Sequence, residues 1–299
     1  MSRAIVTGGA GFIGSNLVDR LIDDGYEVIV IDNLIQGQEE FVNKNASFVN
    51  ADIRDKKSIE KYFKNIDYVF HLAALPSVQL SFENPIEFNE VNVDGLLNVL
   101  HLSYLNKIKR VVFSSSAAIY GGQTSELLTE EHSSQPMCPY SLQKLIGEQY
   151  CQFFSKTYGL ETVCLRYFNV YGDRMRSVGA YSFVIPIFLD QKRANKPMTI
   201  RGDGTQQRDF VNAKDVANAN VLASLSTKVG QGEFINIGTQ TGTSVNEIAD
   251  MIGGKRIFVD AVKEPKVMIA NNSKAKKLLG WEPKINLEKY IKIRSKNEK

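Results

Sequence analysis

"AIVTGGAGFIGSNLVDRLIDDGYEVIVID", residues 4–32, settles how the rest of the chain is read. It opens on a short apolar run, AIVT, that ends at a glycine. FIGSNLVDRLIDDG follows with apolar residues at helical spacing and stops at Gly25. EVIVID is a second apolar run, of the length of a strand buried on both faces. Strand, glycine turn, helix and strand in so short a space make one βαβ unit.

Outward from it the alternation continues. ASFVNAD (46–52) reads as a strand, KKSIEKYFKN (56–65) as a helix and DYVFHLAA (67–74) as a strand. A long helix is expected over 85–105, then a strand in KRVVFSSS (109–116). SLQKLIGEQYCQFFSKTYG (141–159) reads as a helix and ETVCLRYFNVYG (161–172) as a strand. Strands and helices in turn specify a parallel sheet covered on both faces, an α/β fold of the doubly wound Rossmann type. After Gly172 the rhythm loosens. RGDGTQQRDF (201–210) reads as a turn-rich loop, NAKDVANANVLASL (212–225) as a helix, EFINIG (233–238) as a strand and SVNEIADMI (244–252) as a helix. The expected organisation is a dinucleotide-binding domain over 1–172 and a smaller, mainly substrate-binding lobe over 173–299. Some segments of the second return to the first. No low-complexity linker separates the two, so they are expected to pack with a cleft between them.

A chain of 299 residues with 43% apolar and 23% charged residues has ample material for a core. The net charge of +3 is spread along the chain, which gives no footprint for nucleic acid. The basic run 289–299 reads as a solvated tail. No apolar run reaches membrane-spanning length, and the N-terminus leads straight into a strand without a signal-peptide layout. Cys138, Cys151 and Cys164 lack metal spacing and read as reduced thiols of a cytoplasmic protein. His71, His101 and His132 are scattered, which argues against a catalytic metal.

Two glycine patterns overlap in TGGAGFIGS. Gly9, Gly11 and Gly14 fit G-x-G-x-x-G, and Gly8, Gly11 and Gly14 fit G-x-x-G-x-x-G. Placed between a strand and a helix, such glycines let backbone N–H groups approach a pyrophosphate at the helix N-terminus. Asp32 ends the second strand, where a carboxylate accepts hydrogen bonds from ribose hydroxyls and repels a 2′-phosphate. No arginine lies in 33–38, so the pattern favours NAD over NADP. Asp52, Ala73 and Ala74 follow the third and fourth strands, at the sheet's ligand-binding end. Asp52 is placed for the adenine amino group, and the alanines leave room for the adenosine diphosphate.

Tyr140 and Lys144 stand four residues apart, on one face of a helix that Pro139 suits for a start. Y-x-x-x-K is common by chance as a surface pair. Downstream of a dinucleotide loop it points to catalysis, because an ammonium beside a phenol favours phenolate. Ser116 ends the preceding strand and can bond the same substrate oxygen as Tyr140.

TGGAGFIGS, DN, ADIRD, HLAA, SSSAAIYG, PYSLQK, RYFNVYG, GDGTQQRDFVNAKDVA and NNSKAKKLLGWEP occur in this order over nearly the whole chain. As a set they resemble the extended short-chain dehydrogenase/reductase family. Within it they resemble the NAD-dependent epimerases and dehydratases of nucleotide sugars, nearest the UDP-glucose 4-epimerases. The resemblance implies that Ser116, Tyr140 and Lys144 are catalytic. Tyr140 would take the proton of the sugar 4-hydroxyl while hydride passes from C4 to NAD⁺. Hydride would then return to the other face of a 4-keto sugar. Phe12, Ile13, Asn33, Ile53, Leu72, Asn92 and Ser114 match positions that contact the dinucleotide, and Phe168 lies near the nicotinamide. Asn169, Val184 and Arg208 match substrate positions, Arg208 at the diphosphate. Ala117 and Ala118 stand where related dehydratases and decarboxylases carry an acid, which implies simple epimerisation. Three positions bear on the substrate. The family's R-x-G-[DE] reads Ala261-Val262-Lys263-Glu264, with Lys263 as the stand-in phosphate partner. Arg201 takes the place of an aromatic that stacks on uracil. Met268 takes the place of the residue that gates the sugar pocket. The resemblance also implies a homodimer through the helix after Pro85 and the helix of Tyr140. The alternatives on the same frame are a UDP-uronate epimerase and a nucleotide-sugar reductase or dehydrogenase with net redox. A non-catalytic dinucleotide sensor is a third, although such proteins typically lose the tyrosine or the lysine.

Overall fold

In the computed structural model, which describes residues 1–123, 127–175, 183–261 and 264–297, every strand of the first half joins one parallel sheet up to β6. The opening unit is β1 (Arg3–Thr7), α1 (Phe12–Asp23) and β2 (Glu27–Asp32). β3 (Ser47–Asn50), α2 (Lys56–Ile59), β4 (Tyr68–His71), α3 (Val78–Glu83), α4 (Pro85–Asn89) and α5 (Gly95–Leu105) follow. Then come β5 (Arg110–Ser116), α6 (Pro139–Tyr158), β6 (Glu161–Tyr167) and β7 (Asn169–Tyr171). The remainder holds α7 (Val184–Arg193), β8 (Met198–Arg201), β9 (Gln207–Asn212), α8 (Ala213–Leu225) and β10 (Gln231–Ile237). It ends with β11 (Gly242–Ser244), α9 (Val245–Ile252), β12 (Arg256–Val259), β13 (Val267–Met268), α10 (Ser273–Leu279) and α11 (Leu287–Asn297).

The large sheet has the order β10-β6-β5-β4-β1-β2-β3, parallel throughout. Successive strand residues point to opposite faces, so each strand feeds two cores. Ala4, Val6, Val28 and Val30 pack with Leu17 and Leu21 of α1 and Val216 of α8 on one face. Ile5, Ile29 and Ile31 pack with Leu96 and Leu100 of α5 and Phe154 of α6 on the other. The strand order reverses between β1 and β4. Such a switch leaves a crevice beyond the carboxyl ends of the strands.

The chain after Gly172 builds a smaller sheet, β11-β9-β13 with β7 also paired to β9, and a β8–β12 pair. It also sends β10 into the large sheet and packs α8 against α1. Trp281 belongs to that first core and donates Nε1–H to the carbonyl of Asp215 at 2.8 Å. No helix among the described residues is long and apolar enough to cross a membrane.

Four segments differ from the sequence reading. The helix expected over 85–105 contains a π turn, Glu90–Asp94, between α4 and α5. There Asn92 turns inward and bonds the backbone of Leu75 instead of solvent. The strand expected over 161–172 breaks at Phe168, after which β7 leaves the large sheet to pair with β9. RGDGTQQRDF holds the end of β8 and the start of β9 around a tight turn, because Gln207–Asn212 finds strand partners on both sides. The basic C-terminal run lies in α11 as far as the description extends, with Ile291 fully buried against the second lobe's core. Its apolar residues, not its charges, decided that segment.

Asp209 of β9 ties this lobe together. It is fully buried, and its carboxylate accepts from Thr239 N and Oγ1, Gln240 N and Ala270 N at 2.6–3.1 Å. Each buried donor left without a partner costs about 1–3 kcal/mol. Asp209→Ala is therefore expected to lower the unfolding free energy by about 3 kcal/mol or more, measured by urea denaturation.

Candidate active site

The crevice at the switch point opens into one cleft of about 1020 Å³, lined by the ends of β1, β2, β4, β5 and β6 and by the second lobe. At its closed end Gly8 has φ +73°, and a Cβ there would stand 2.6 Å from the nitrogen of Ala73. A Cβ on Gly14 would stand 2.1 Å from the Gly8 carbonyl oxygen. Gly8, Gly11 and Gly14 line the cleft with Phe12 and Ile13, whereas Gly9 faces Val30 in the core. The G-x-x-G-x-x-G spacing is thus the one that faces the cleft. Gly11 is the N-cap of α1 and brings no side chain, so the first N–H groups of the helix remain available to an anion.

Asp32 sits beside this turn, 8% exposed. Its oxygens accept from Ala10 N at 3.0 Å and Leu34 N at 2.9 Å. Burial pushes its carboxyl above the usual value, and the two N–H groups draw it back. Asn33, Asp52, Ile53, Leu72, Ala73 and Ala74 complete this wall. Asp52 is already engaged: Arg54 pairs with it at 2.8 Å and Asn33 donates to it at 2.9 Å. Hydrogen bonds from Arg54 hold its carboxyl below the ordinary range. Asn92 does not line the cleft. It is buried behind the wall, bracing Leu75 and reaching Gln143 of α6 at 2.9 Å.

Across the cleft, β5 delivers Ser114 and Ser116 and α6 delivers Tyr140 and Lys144. Cys138 caps α6 reciprocally with Ser141, and Pro139 takes the first helical position, which places Tyr140 in the first turn. Lys144, one turn on, donates to the carbonyl of Ser114 at 2.7 Å and lies 5.9 Å from the Tyr140 ring centre. Ser116 lines the same cleft as Tyr140, and its Oγ accepts from Ala118 N at 3.1 Å.

The titration behaviour departs from the sequence reading. Burial pushes the Tyr140 phenol up to about 12, and the Ser116 hydroxyl offsets only part of this. Lys144 was expected to lower it, but the ammonium is turned onto the Ser114 carbonyl. Burial draws Lys144 itself down to about 8. The chain's own groups therefore hold Tyr140 as a phenol at neutral pH, ready to donate a hydrogen bond.

At the open end the second lobe contributes Arg201, Arg208, Glu264 and Met268, near Phe168 and Asn169. Arg208 is paired to Glu264 at 2.5 Å, and Gln206 donates to the same carboxylate at 3.2 Å. Val184 lies outside the cleft and packs in the second core; its neighbour Phe183 lines the cleft, edge-on to Phe12 at 5.6 Å. Lys263 lies outside the described residues. Sequence reading missed Phe183, Arg174 and Phe41 as lining residues. They come from irregular segments with no spacing to mark them.

Residues 4–238 match the model of the "NAD dependent epimerase/dehydratase family". The chain belongs to this family. A Methanocaldococcus jannaschii relative, named only provisionally as a UDP-glucose 4-epimerase, is 44% identical over 297 residues, covering 96% of this chain and 95% of the relative. The Thermotoga maritima UDP-glucose 4-epimerase, solved with UDP-glucose, superposes with a TM-score of 0.93 at 39% identity, over 98% of this chain and 97% of that one. The Methanobrevibacter ruminantium UDP-N-acetylglucosamine 4-epimerase, solved with UDP-N-acetylmuramic acid, gives 0.93 at 36% identity, over 99% and 97%.

The cofactor of this epimerase/dehydratase family is NAD. The closed end of the cleft fits it. A Cβ would fill the glycine crevice, Asp32 offers a carboxylate, and no cation stands in 33–37 to meet a 2′-phosphate. Behind this end lies His71, fully buried, bonded to Thr7 Oγ1 at 2.8 Å and stacked on Phe113. Burial, aided by the Lys144 charge, draws its imidazole from 6.5 down to about 3. Between those values the unfolded chain binds more protons than the native one, so stability falls as pH drops below 6.5. The slope from one such group approaches about 1.4 kcal/mol per pH unit. Urea denaturation between pH 7 and 5.5 is expected to show this loss, and His71→Gln to flatten it.

Proposed function

We propose that this member of the family is a 4-epimerase of UDP-hexoses that keeps its NAD through the cycle. The observation that carries this reading is the grouping of Ser116, Tyr140 and Lys144 across one cleft from the glycine turn. Beside Ser116 the wall is Ala117 and Ala118, which bring no acid or base. Among the described residues the carboxylates that line the cleft are Asp32 at the end of β2, Asp52 after β3 and Glu264 before β13. Elimination would need a further acid or base at the sugar, and among the described residues no carboxylate or imidazole stands beside these alanines. What this centre can do is move one proton at one hydroxyl.

Bound NAD supplies a hydride acceptor and donor, with a positive ring in its oxidised form. Ser116 and Tyr140 would converge on the oxygen of one sugar hydroxyl, Ser116 orienting it and Tyr140, in the phenolate form that a nearby positive charge favours, taking its proton and later returning it. Lys144 holds the Ser114 carbonyl and keeps an ammonium near the phenol, so that a phenolate formed there is stabilised. Arg208 suits a diphosphate through its forked donors, and Glu264 occupies that fork until the substrate displaces it. Small Ala117 and Ala118 and the flexible Met268 leave the sugar room to present its other face.

The test uses purified protein with no added cofactor, given UDP-galactose or UDP-N-acetylgalactosamine, with the 4-epimers resolved by chromatography. Conversion is expected, with no net NADH. Tyr140→Phe is expected to lower kcat by about 10²–10⁴-fold, the usual worth of a positioned acid–base. Met268→Tyr should suppress the N-acetyl substrate selectively. Net reduction or oxidation, in step with product, would establish the dehydrogenase reading instead.

We also propose that two copies pair through α5 and α6. Tyr104, Phe153 and Tyr158 form an aromatic cluster on these helices with ring centroids 5.0 and 5.8 Å apart. Phe153 and Tyr158 remain 49% and 45% exposed, and Leu105 beside them 55%. A contiguous apolar patch of this kind marks an interface. Light scattering after gel filtration is expected to give a dimer, and Phe153→Glu combined with Tyr158→Glu a monomer with unchanged circular dichroism.

A further inference from the structure

We infer that Arg174 is the cation that grips the diphosphate of the dinucleotide, and that Asp19 and Phe41 hold it in place for that purpose. Arg174 follows β7 and lines the cleft. It adopts φ +72°, a conformation a side-chain-bearing residue rarely takes. Three elements meet at its guanidinium. Nη2 pairs with Asp19 of α1 at 2.7 Å, and the guanidinium carbon lies 5.8 Å from the centre of the Phe41 ring, which also lines the cleft. Asp19 accepts in turn from Asn43 Nδ2 at 2.8 Å. The segment after β2 is further held to the glycine turn by Gln38 N donating to the Ala10 carbonyl at 2.9 Å. In this setting Nη1 is buried and has no hydrogen-bond partner among the described residues.

Charge requires such a group. A dinucleotide diphosphate carries two negative charges into a cleft whose wall already holds the Asp32 carboxylate, Asp52 being offset by Arg54. The α1 N-terminus offers roughly half a positive charge. Among the described lining residues Lys144 is committed to the Ser114 carbonyl and Arg208 to Glu264, and Arg201 ends β8 in the later part of the chain. Arg174 is the one paired to α1, the helix that the glycine turn opens. Asp19 neutralises one edge of its fork, and the buried Nη1 is the donor left for a phosphate oxygen. An unpartnered buried donor is costly in the free protein, so a phosphate that satisfies it binds more tightly than a solvated one. The same contact resists release, and slow release is what a catalyst that regenerates its cofactor needs.

The experiment is a chase of protein-bound NAD by excess labelled NAD, followed after gel filtration, together with displacement by ADP-ribose and by adenosine. Arg174→Ala is expected to speed NAD release by about 10–100-fold, the range of a charged hydrogen bond. It should weaken ADP-ribose alike and leave adenosine, which has no diphosphate, unchanged. Asp19→Asn should give a smaller acceleration of the same pattern, and Arg174→Lys should fall between wild type and Arg174→Ala. A melting temperature within error of wild type will show that the variants fold. Unchanged NAD release in Arg174→Ala would overturn the inference. So would equal weakening of adenosine and ADP-ribose, which would make Arg174 a prop for Phe41. Selective weakening of 2′-phospho-ADP-ribose would overturn it as well, since Arg174 would then read a 2′-phosphate.

Discussion

Glu148 and Arg166 carry opposite charges where almost no water reaches, 0% and 2% exposed. Two bonds of the guanidinium, at 2.8 and 2.7 Å, meet the two carboxylate oxygens. Ser115 adds a third at 2.6 Å, and Arg166 passes on through the Tyr120 hydroxyl to Asn236 of β10. Such a pair is costly to bury and is tolerated only when every donor and acceptor is met. Here it bolts α6 to β5, β6 and β10 in a single register. Glu148 lies one turn after Lys144, and Ser115 lies between the two serines that face the cleft. The pair therefore fixes how far Tyr140 and Lys144 stand from Ser116 and from the Ser114 carbonyl. Gly147 works to the same end, since a Cβ there would meet the Phe113 ring at 2.6 Å.

The cleft is organised by where charge is allowed. Its closed end pairs a glycine-lined helix terminus with one acid for a diol and, by our inference, one arginine for a diphosphate. Its open end holds Arg208 against Glu264, a carboxylate in the place a phosphate would take. Between them the centre is nearly free of carboxylates. A buried phenol, a buried ammonium and a serine hydroxyl face one another there, with alanines beside them. On the proposed function, such a centre suits the exchange of a proton at a hydroxyl. The raised pKa of Tyr140 and the lowered pKa of Lys144 have one cause, the exclusion of water by the same walls.

Much of this was legible beforehand. Periodicity read out the strands β1 to β6 and most of the helices between them, α3 excepted, because buried parallel strands and amphipathic helices leave different spacings in sequence. Gly8, Gly11, Gly14 and Asp32 were legible because a turn without side chains followed by an acid at a strand end has few other uses. Less legible were segments whose conformation depends on a distant partner. Asn92 reads as a polar residue of a helix, yet it is turned inward by Leu75 and Gln143. The C-terminal run reads as charge, yet Ile291 and its neighbours find the second core.

By itself the sequence determined the parallel α/β class, the strands up to β6, the glycine turn between β1 and α1 and the placing of Tyr140 and Lys144 on one helix. All of these rest on local spacing, and local spacing survives without knowledge of the rest of the chain. Only the tertiary structure decided which glycine pattern faces the cleft and that Val184 lies outside it. It alone showed that Asp52 and Arg208 are already paired, that Lys144 is turned to Ser114, and that Arg174 meets Asp19 and Phe41. Each of these depends on groups brought together from far along the chain, whose burial and charge are set only when the core has closed around them.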